Sequence, residues 1–247
     1  MSIFQHKKND IEKISLKDIF LYRSVFRYIN SNMYILLKGK NALIIDPNPN
    51  NDVINLLKEN QVEKVTIILT HEHRDHIYGI YLFQENFETE IICTNNCANY
   101  ISDIKNARPV IMHMILDEYD KKNNTNLTKN FMKEYIPRCY QANKTFEKEL
   151  SLNWNGYNLE LFSIEGHSKG SSAIILNDEV VFTGDSLLKD FPIITRFLGG
   201  STKNFENNTI PFLEKRLNPE MSILPGHGNP FKLNEIMKDG KIYVELK

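Results

Sequence analysis

Residues 70–76 read Thr-His-Glu-His-Arg-Asp-His, three histidines and an aspartate directly behind the apolar run 65–69. Imidazole nitrogen and carboxylate oxygen are the donors that zinc and related divalent ions take. A loop leaving the end of a strand can turn several such donors into one pocket. His71, His73, Asp75 and His76 are more than one structural ion needs from a single short loop. The excess points to two metals, provided that other parts of the chain contribute further donors.

Three later segments have the required form, an apolar strand-like run ending in a glycine-flanked donor. Residues 159–164 lead into Gly166-His167-Ser168, residues 180–182 into Thr183-Gly184-Asp185-Ser186, and residues 221–224 into Pro225-Gly226-His227-Gly228. Glycine beside a donor lets the backbone turn sharply and come close to a metal. With His167, Asp185 and His227 added, each of two metals could take three donors, one carboxylate bridging both.

These four motifs, in this order across residues 32–230, resemble the metallo-β-lactamase superfamily and, within it, the glyoxalase II-like hydrolases. The resemblance implies a four-layer αββα sandwich with the metal site at one edge, where strand-end loops converge. It implies that His71, His73 and His167 hold one metal, that Asp75, His76 and His227 hold the other, and that Asp185 bridges them. Asp46, which ends the run Leu43-Ile44-Ile45, matches an aspartate that supports the histidine loop from behind the ligands. Arg196, followed by Gly199-Gly200-Ser201, matches a segment expected to shape the backbone and give a polar contact to substrate.

The positioning elements can be read in outline. Residues 34–38 and 42–45 are expected as strands joined by a turn at Gly39-Lys40-Asn41, and Asp52 as the N-cap of a short helix. A strand at 65–69, a helix at 77–86 and a strand at 90–94 complete an alternation of the α/β type. Residues 174–182 read as strand, turn, strand, and residues 203–217 as a helix interrupted or initiated at Pro211. Residues 105–150 fit less well. They are polar, yet carry Met112, Met114, Tyr119, Phe131, Met132, Tyr135 and Tyr140. They are expected as a helical insertion in a single domain spanning 1–247, either a lid that shapes the substrate pocket or a surface elaboration whose aromatics pack on the sandwich.

Composition narrows the partners. The chain has 247 residues and a formal net charge of −1. This balance suggests neither a nucleic-acid nor a membrane partner, and leaves a small molecule as the expected substrate. No apolar run approaches the roughly 18 residues of a membrane span. Residues 1–17 alternate charges with single apolar residues and lack a signal-peptide core. The three cysteines are expected as reduced thiols of a cytoplasmic protein, with Cys93 and Cys97 as packing residues. His113 lies in the apolar run 110–116 and is expected as a buried histidine, while Trp154 is expected to flank a turn. His6 falls outside the donor pattern.

The expected chemistry is hydrolysis by two divalent ions, zinc first, with iron or manganese as alternatives. A metal brings the pKa of water down to about 7. A metal-bridging hydroxide would then attack the carbonyl of an ester-type bond, with Asp75 orienting it and carrying a proton. A closed structural zinc site favours cysteine and four ligands, which this donor set does not match. The bridging Asp185 argues against β-lactams. Glutathione thioesters are doubtful because Gly166-His167-Ser168-Lys169-Gly170-Ser171 lacks the family's second histidine, and only twenty residues follow His227. Thioesters and lactones remain the expected substrates. The alternatives are a mononuclear iron persulfide dioxygenase, a phosphodiesterase or nuclease of the same fold, and a metal-dependent ligand sensor without turnover.

Overall fold

The computed structural model describes residues 11–247. His6 and most of the stretch read for a leader lie outside the described residues. Seven strands form the first sheet in sequence order: β1 (Ile11–Leu16), β2 (Ile19–Val25), β3 (Asn32–Lys38), β4 (Asn41–Ile45), β5 (Lys64–Ile68), β6 (Glu88–Thr94) and β7 (Lys144–Phe146). Pairing is antiparallel from β1 to β4 and parallel from β4 to β7.

The helices between these strands are α1 (Asn51–Glu59), α2 (Arg74–Ile77), α3 (Ile80–Gln84), α4 (Asn95–Ser102), α5 (Val110–Asn123) and α6 (Leu127–Glu134). The second sheet contains β8 (Glu149–Trp154), β9 (Tyr157–Ser163), β10 (Ser172–Leu176), β11 (Val180–Gly184), β12 (Ser222–Pro225) and β13 (Phe231–Lys232), in spatial order β13-β12-β11-β10-β9-β8. Its one parallel pair is β11 with β12. Between these two strands lie α7 (Thr202–Asn204), a π-helical turn at Phe205–Thr209, and α8 (Ile210–Arg216).

The period-2 alternation of strands sorts side chains into layers. Leu36, Leu43, Ile45 and Ile68 face Leu161, Ile174, Val180 and Phe182 across the gap between the sheets. Their neighbours Ile35, Ala42, Ile44 and Ile67 point the other way, onto Val53 and Leu57 of α1 and Phe83 of α3. Ile175, Val181 and Ile223 cover the outer face of the second sheet together with Leu213 of α8. The result is the αββα sandwich. Truncating a central residue such as Leu161 to alanine would cost about 2–5 kcal/mol, because both sheets fix the surrounding walls.

Local readings needed correction in four places. No strand is legible before Tyr34, yet the charged and apolar alternation of 11–16 is an edge strand, β1, paired along its length with β2. The N-cap of α1 is Asn50, whose side chain accepts from the Asp52 backbone at 2.9 Å, and Asp52 sits inside the first turn. The helix expected at 77–86 is two short helices on either side of Gly79, which lies against the Asn48 backbone where a Cβ has no room.

The fourth correction concerns His113, which is exposed on α5 rather than buried. Helical geometry explains the error: at about 100° per residue, Met112 and Leu116 turn inward while Val110, His113 and Met114 turn out. Cys93, Cys97 and Trp154 are buried, as expected.

The helical part of the segment 105–150 ends at Glu134, and residues 144–146 and 149–150 already belong to the two sheets. Met112, Leu116, Phe131 and Tyr135 pack on Phe26, Tyr28, Ile29 and Tyr78 of the sandwich. Tyr78 and Tyr135 lie 4.6 Å apart between ring centroids. The α5–α6 turn is tied by Asp120, whose carboxylate accepts from the backbones of Leu127 at 2.8 Å and Thr128 at 2.9 Å. No helix among the described residues is long and apolar enough to cross a membrane.

Candidate metal centre

Every candidate donor sits just beyond the C-terminal end of a strand, at the same edge of both sheets. β4 ends at Asp46, β5 feeds the histidine loop, β9 leads to His167, β11 to Asp185 and β12 to His227. The edges are stitched together across the two sheets. Ser172 donates its backbone N–H to the Thr70 carbonyl at 2.7 Å. Tyr34 donates its hydroxyl to the Pro225 carbonyl at 2.8 Å, and Ser31 donates to the Asp75 carbonyl at 3.0 Å. Backbone is also packed very closely here. At Gly184, with φ at +50°, a side chain would collide with Thr70.

Hydrogen bonds behind the donors decide which ring nitrogen each histidine presents. Asp46 accepts from the Thr70 backbone at 2.7 Å and from the Thr70 hydroxyl at 2.5 Å. Since that hydroxyl donates to Asp46, it accepts from His71 Nδ1 at 3.0 Å, which leaves His71 Nε2 as a bare acceptor. His76 Nδ1 lies 3.0 Å from Asp46 Oδ2, and His167 Nδ1 donates to the Ile194 carbonyl at 2.7 Å. Each of these rings therefore turns Nε2 toward a common centre. Asp46 could itself be grouped with His71 and His76 as a metal donor. Its oxygens are already engaged and face the opposite side of His76, so its geometry is that of an orienting group.

Two clusters of donor atoms result. One contains His71, His73, His167 and Asp185, the other Asp75, His76 and His227. His73 Nδ1 stands 3.0 Å from His167 Nε2, which is 3.6 Å from Asp185 Oδ2. In the second cluster Asp75 Oδ2 is 3.1 Å from His76 Nε2 and 3.3 Å from His227 Nε2. Asp185 reaches this cluster too, with Oδ1 3.4 Å from His76 Nε2 and Oδ2 3.4 Å from His227 Nε2. Donors held at about 2.0–2.1 Å around a tetrahedral metal are separated by about 3.3 Å, and these spacings bracket that value.

The buried atoms left without an aligned hydrogen-bond partner include His71 Nε2, His76 Nε2 and Asp185 Oδ1. Such groups are costly unless something binds them. The donor set therefore fits divalent metals. All seven predicted donors converge, and Asp46 lies behind them. Asp75 lies within the second cluster and also lines the adjacent cavity.

Charge divides the donors into two groups. Burial, reinforced by neighbouring imidazoles, holds His71 well below the usual histidine range and His73 down to about 3. Burial also lowers His167. Burial opposes charge on His76 and His227 as well, but there the carboxylates of Asp75 and Asp185 prevail. They hold His76 well above its ordinary value and His227 up to about 9. Those imidazoliums in turn keep Asp75 and Asp185 well below the usual carboxylate range, against the effect of burial. Without metal, two protonated rings neutralise the two carboxylates.

A cavity of about 90 Å³ opens onto His73, Asp75, His167, Asp185 and His227, with Ile111 and Ile115 of α5 in its wall. Arg196 is exposed and does not line it; the adjacent Ile194 and Phe197 do. The Gly199-Gly200-Ser201 segment has the expected backbone role, with Gly200 packed against the Thr195 and His167 carbonyls and Ser201 donating its N–H to the Gly166 carbonyl at 2.7 Å.

Glu72 escaped the sequence reading although it lies inside the histidine motif. Its buried carboxylate accepts from the Ser168 hydroxyl at 2.9 Å, and so anchors the loop that carries His167. Ser171, which stands where the family has a second histidine, accepts from the Ser168 backbone at 3.0 Å. Only the position of Glu72 between two histidines could have drawn attention to it.

The comparisons agree with the architecture. The family model described as the metallo-beta-lactamase superfamily matches residues 27–102. A probable metallo-hydrolase of Streptococcus pyogenes is 26% identical over 217 residues, covering 84% of this chain and 83% of that protein. The probable metallo-hydrolase YqgX of Bacillus subtilis is 28% identical over 204 residues, covering 81% of this chain and 86% of its own length. The crystal structure of the B3 metallo-beta-lactamase BLEG-1 superposes with a TM-score of 0.62 at 22% identity, over 92% of this chain and 95% of that one. The chain is thus similar to the metallo-β-lactamase superfamily by family model, by curated relatives and by fold. The fold is shared with that solved structure, and the donor clusters agree with the metallo-hydrolase names of the two relatives.

Proposed function

We propose that the chain is a binuclear metal-dependent hydrolase of carbonyl ester-type bonds, with thioesters or lactones as substrates and zinc as the first expectation for the metal. The observation that carries this reading is the position of Asp185, whose two oxygens lie 3.4–3.6 Å from histidines of both clusters. His71, His73 and His167 would hold one metal; Asp75, His76 and His227 the other; Asp185 would serve both. Such a pair supplies hydroxide near neutral pH and a Lewis acid for a carbonyl oxygen.

The chain's own residues supply the remaining functions. Asp75 faces the cavity, so a carboxylate oxygen not taken by metal can orient a water and carry its proton. Asp46, Thr70 and the Ile194 carbonyl fix ring orientation. Helix α5 closes one side of the cavity, which supports reading it as a lid over the site.

Metal quantification together with turnover of a thioester and lactone panel tests the proposal. Wild type is expected to carry two metals per chain. Asp185→Asn is expected to lose metal and turnover together. Full activity in that variant, or a single iron per chain in wild type, would refute the binuclear reading.

A further inference from the structure

The cavity beside the donor clusters has walls of a single chemical character. Apart from the donors, every described side chain lining it is apolar, among them Ile29, Leu188, Phe191 and Phe197, with Ile111 and Ile115 contributed by α5. The cations adjacent in sequence to these positions do not line it. Arg74 is buried and donates to the carbonyls of Asn106 at 3.0 Å and Arg138 at 3.2 Å. Lys189 pairs with Glu235 at 2.5 Å, and Arg196 is exposed. With the reacting carbonyl placed at the donor clusters, a carboxylate or phosphate further along the acyl group would be dehydrated among apolar walls with nothing there to pair it. An alkyl chain would bind about fourfold more tightly per buried methylene.

Helix α5 extends this character outward. Beside Ile111 and Ile115 in the cavity wall, Val110 and Met114 are each 59% exposed. The helix thus offers a continuous apolar path from the donor clusters to the surface. With a cavity of only about 90 Å³, a chain of more than a few carbons must run out along that path.

We propose that this site, on the hydrolase reading above, takes esters of uncharged aliphatic acyl groups, and that Ile111 and Ile115 of α5 are the residues that select them. Binding of neutral probes separates this selection from catalysis. Calorimetric titration of the metal-loaded protein would compare hexanamide with the same chain ending in a sulfonate, 5-sulfopentanamide, an anion that coordinates metals poorly. Hexanamide is expected to bind at least tenfold more tightly to wild type. Ile115→Lys is expected to reverse the order, and Ile115→Ala to improve the relative binding of octanamide; circular dichroism would check that both variants fold.

Equal or tighter binding of the sulfonated probe by wild type, or no binding of hexanamide, overturns the proposal. So does an unchanged order in folded Ile115→Lys. Parallel turnover of hexanoyl and adipoyl thioesters tests the chemistry separately. Selective amide binding with no thioester or lactone hydrolysis would support the selectivity while removing the hydrolase reading on which its function rests.

Discussion

Glu72 and Ser168 lie 96 residues apart in sequence and are joined by a buried hydrogen bond of 2.9 Å. This contact fastens the loop carrying His167 to the loop carrying His71 and His73, so the first donor cluster is closed by a side chain that donates nothing to it. Glu72→Ala would leave the Gly170 N–H without its acceptor and the Ser168 hydroxyl with Ser171 alone, costing about 1–3 kcal/mol. It should also lower metal content at the cluster containing His167. Glu72→Gln keeps an acceptor and should retain more of both. Metal quantification and thermal melting would check the pair; identical behaviour of the two variants would remove the hydrogen bond as the cause.

Asp46 receives Thr70 and faces His76 Nδ1, so one carboxylate orients two histidines, His71 through the Thr70 hydroxyl and His76 directly. Asp46→Ala is expected to weaken metal affinity about 10–100-fold, the usual cost of removing such an orienting partner. Competition with a chromogenic chelator measures this, and an affinity within twofold of wild type would contradict it.

Gly226 is packed so tightly that an added Cβ would collide with Asp185 and lie 2.8 Å from the His76 ring. Gly226→Ala should therefore fold but displace the residue proposed to serve both metals. The expected result is a fall from two metals per chain with only modest loss of melting temperature. Retention of both metals would show that the loop yields without disturbing the donors.

The pH dependence of the metal-free protein follows from its two sets of histidines. His71, His73 and His167 are held below the ordinary value of 6.5, so the unfolded chain binds more protons than the folded one beneath that pH. Their contribution to stability is present above about 6.5 and is lost as pH falls toward about 3. His76 and His227 are held above 6.5, and their contribution is complete below that pH and lost as pH rises, through about 9 for His227. Urea titrations of chelator-treated protein should show maximal stability near pH 6.5. Metal binding must displace the protons on His76 and His227, so affinity should climb between pH 6.5 and 9. A monotonic rise in metal-free stability from pH 5 to 9 would contradict the charged state of those rings.

The sequence by itself determined the donors and most of the strands that carry them. Donor identity is a matter of residue type, and a glycine-flanked histidine behind an apolar run is a local pattern, so His167, Asp185 and His227 could be read as readily as the Thr70–His76 loop. Local reading failed where a face had to be chosen. The alternation in β1 was not legible as a strand, because an edge strand buries only part of one side. His113 sits among apolar residues but points to solvent, since a helix apolar nearly all round does not announce which side faces the core.

Tertiary structure decided what no local pattern encodes. It brought His73 to within 3.0 Å of a nitrogen 94 residues away, and turned Glu72 into the clasp between two loops. It also lined the approach to the donors with Ile111, Ile115 and Phe197, which come from separate segments of the chain. Metal chemistry is legible in sequence because the donor side chains themselves perform it. The shape and polarity of the cavity arise only when distant segments pack together.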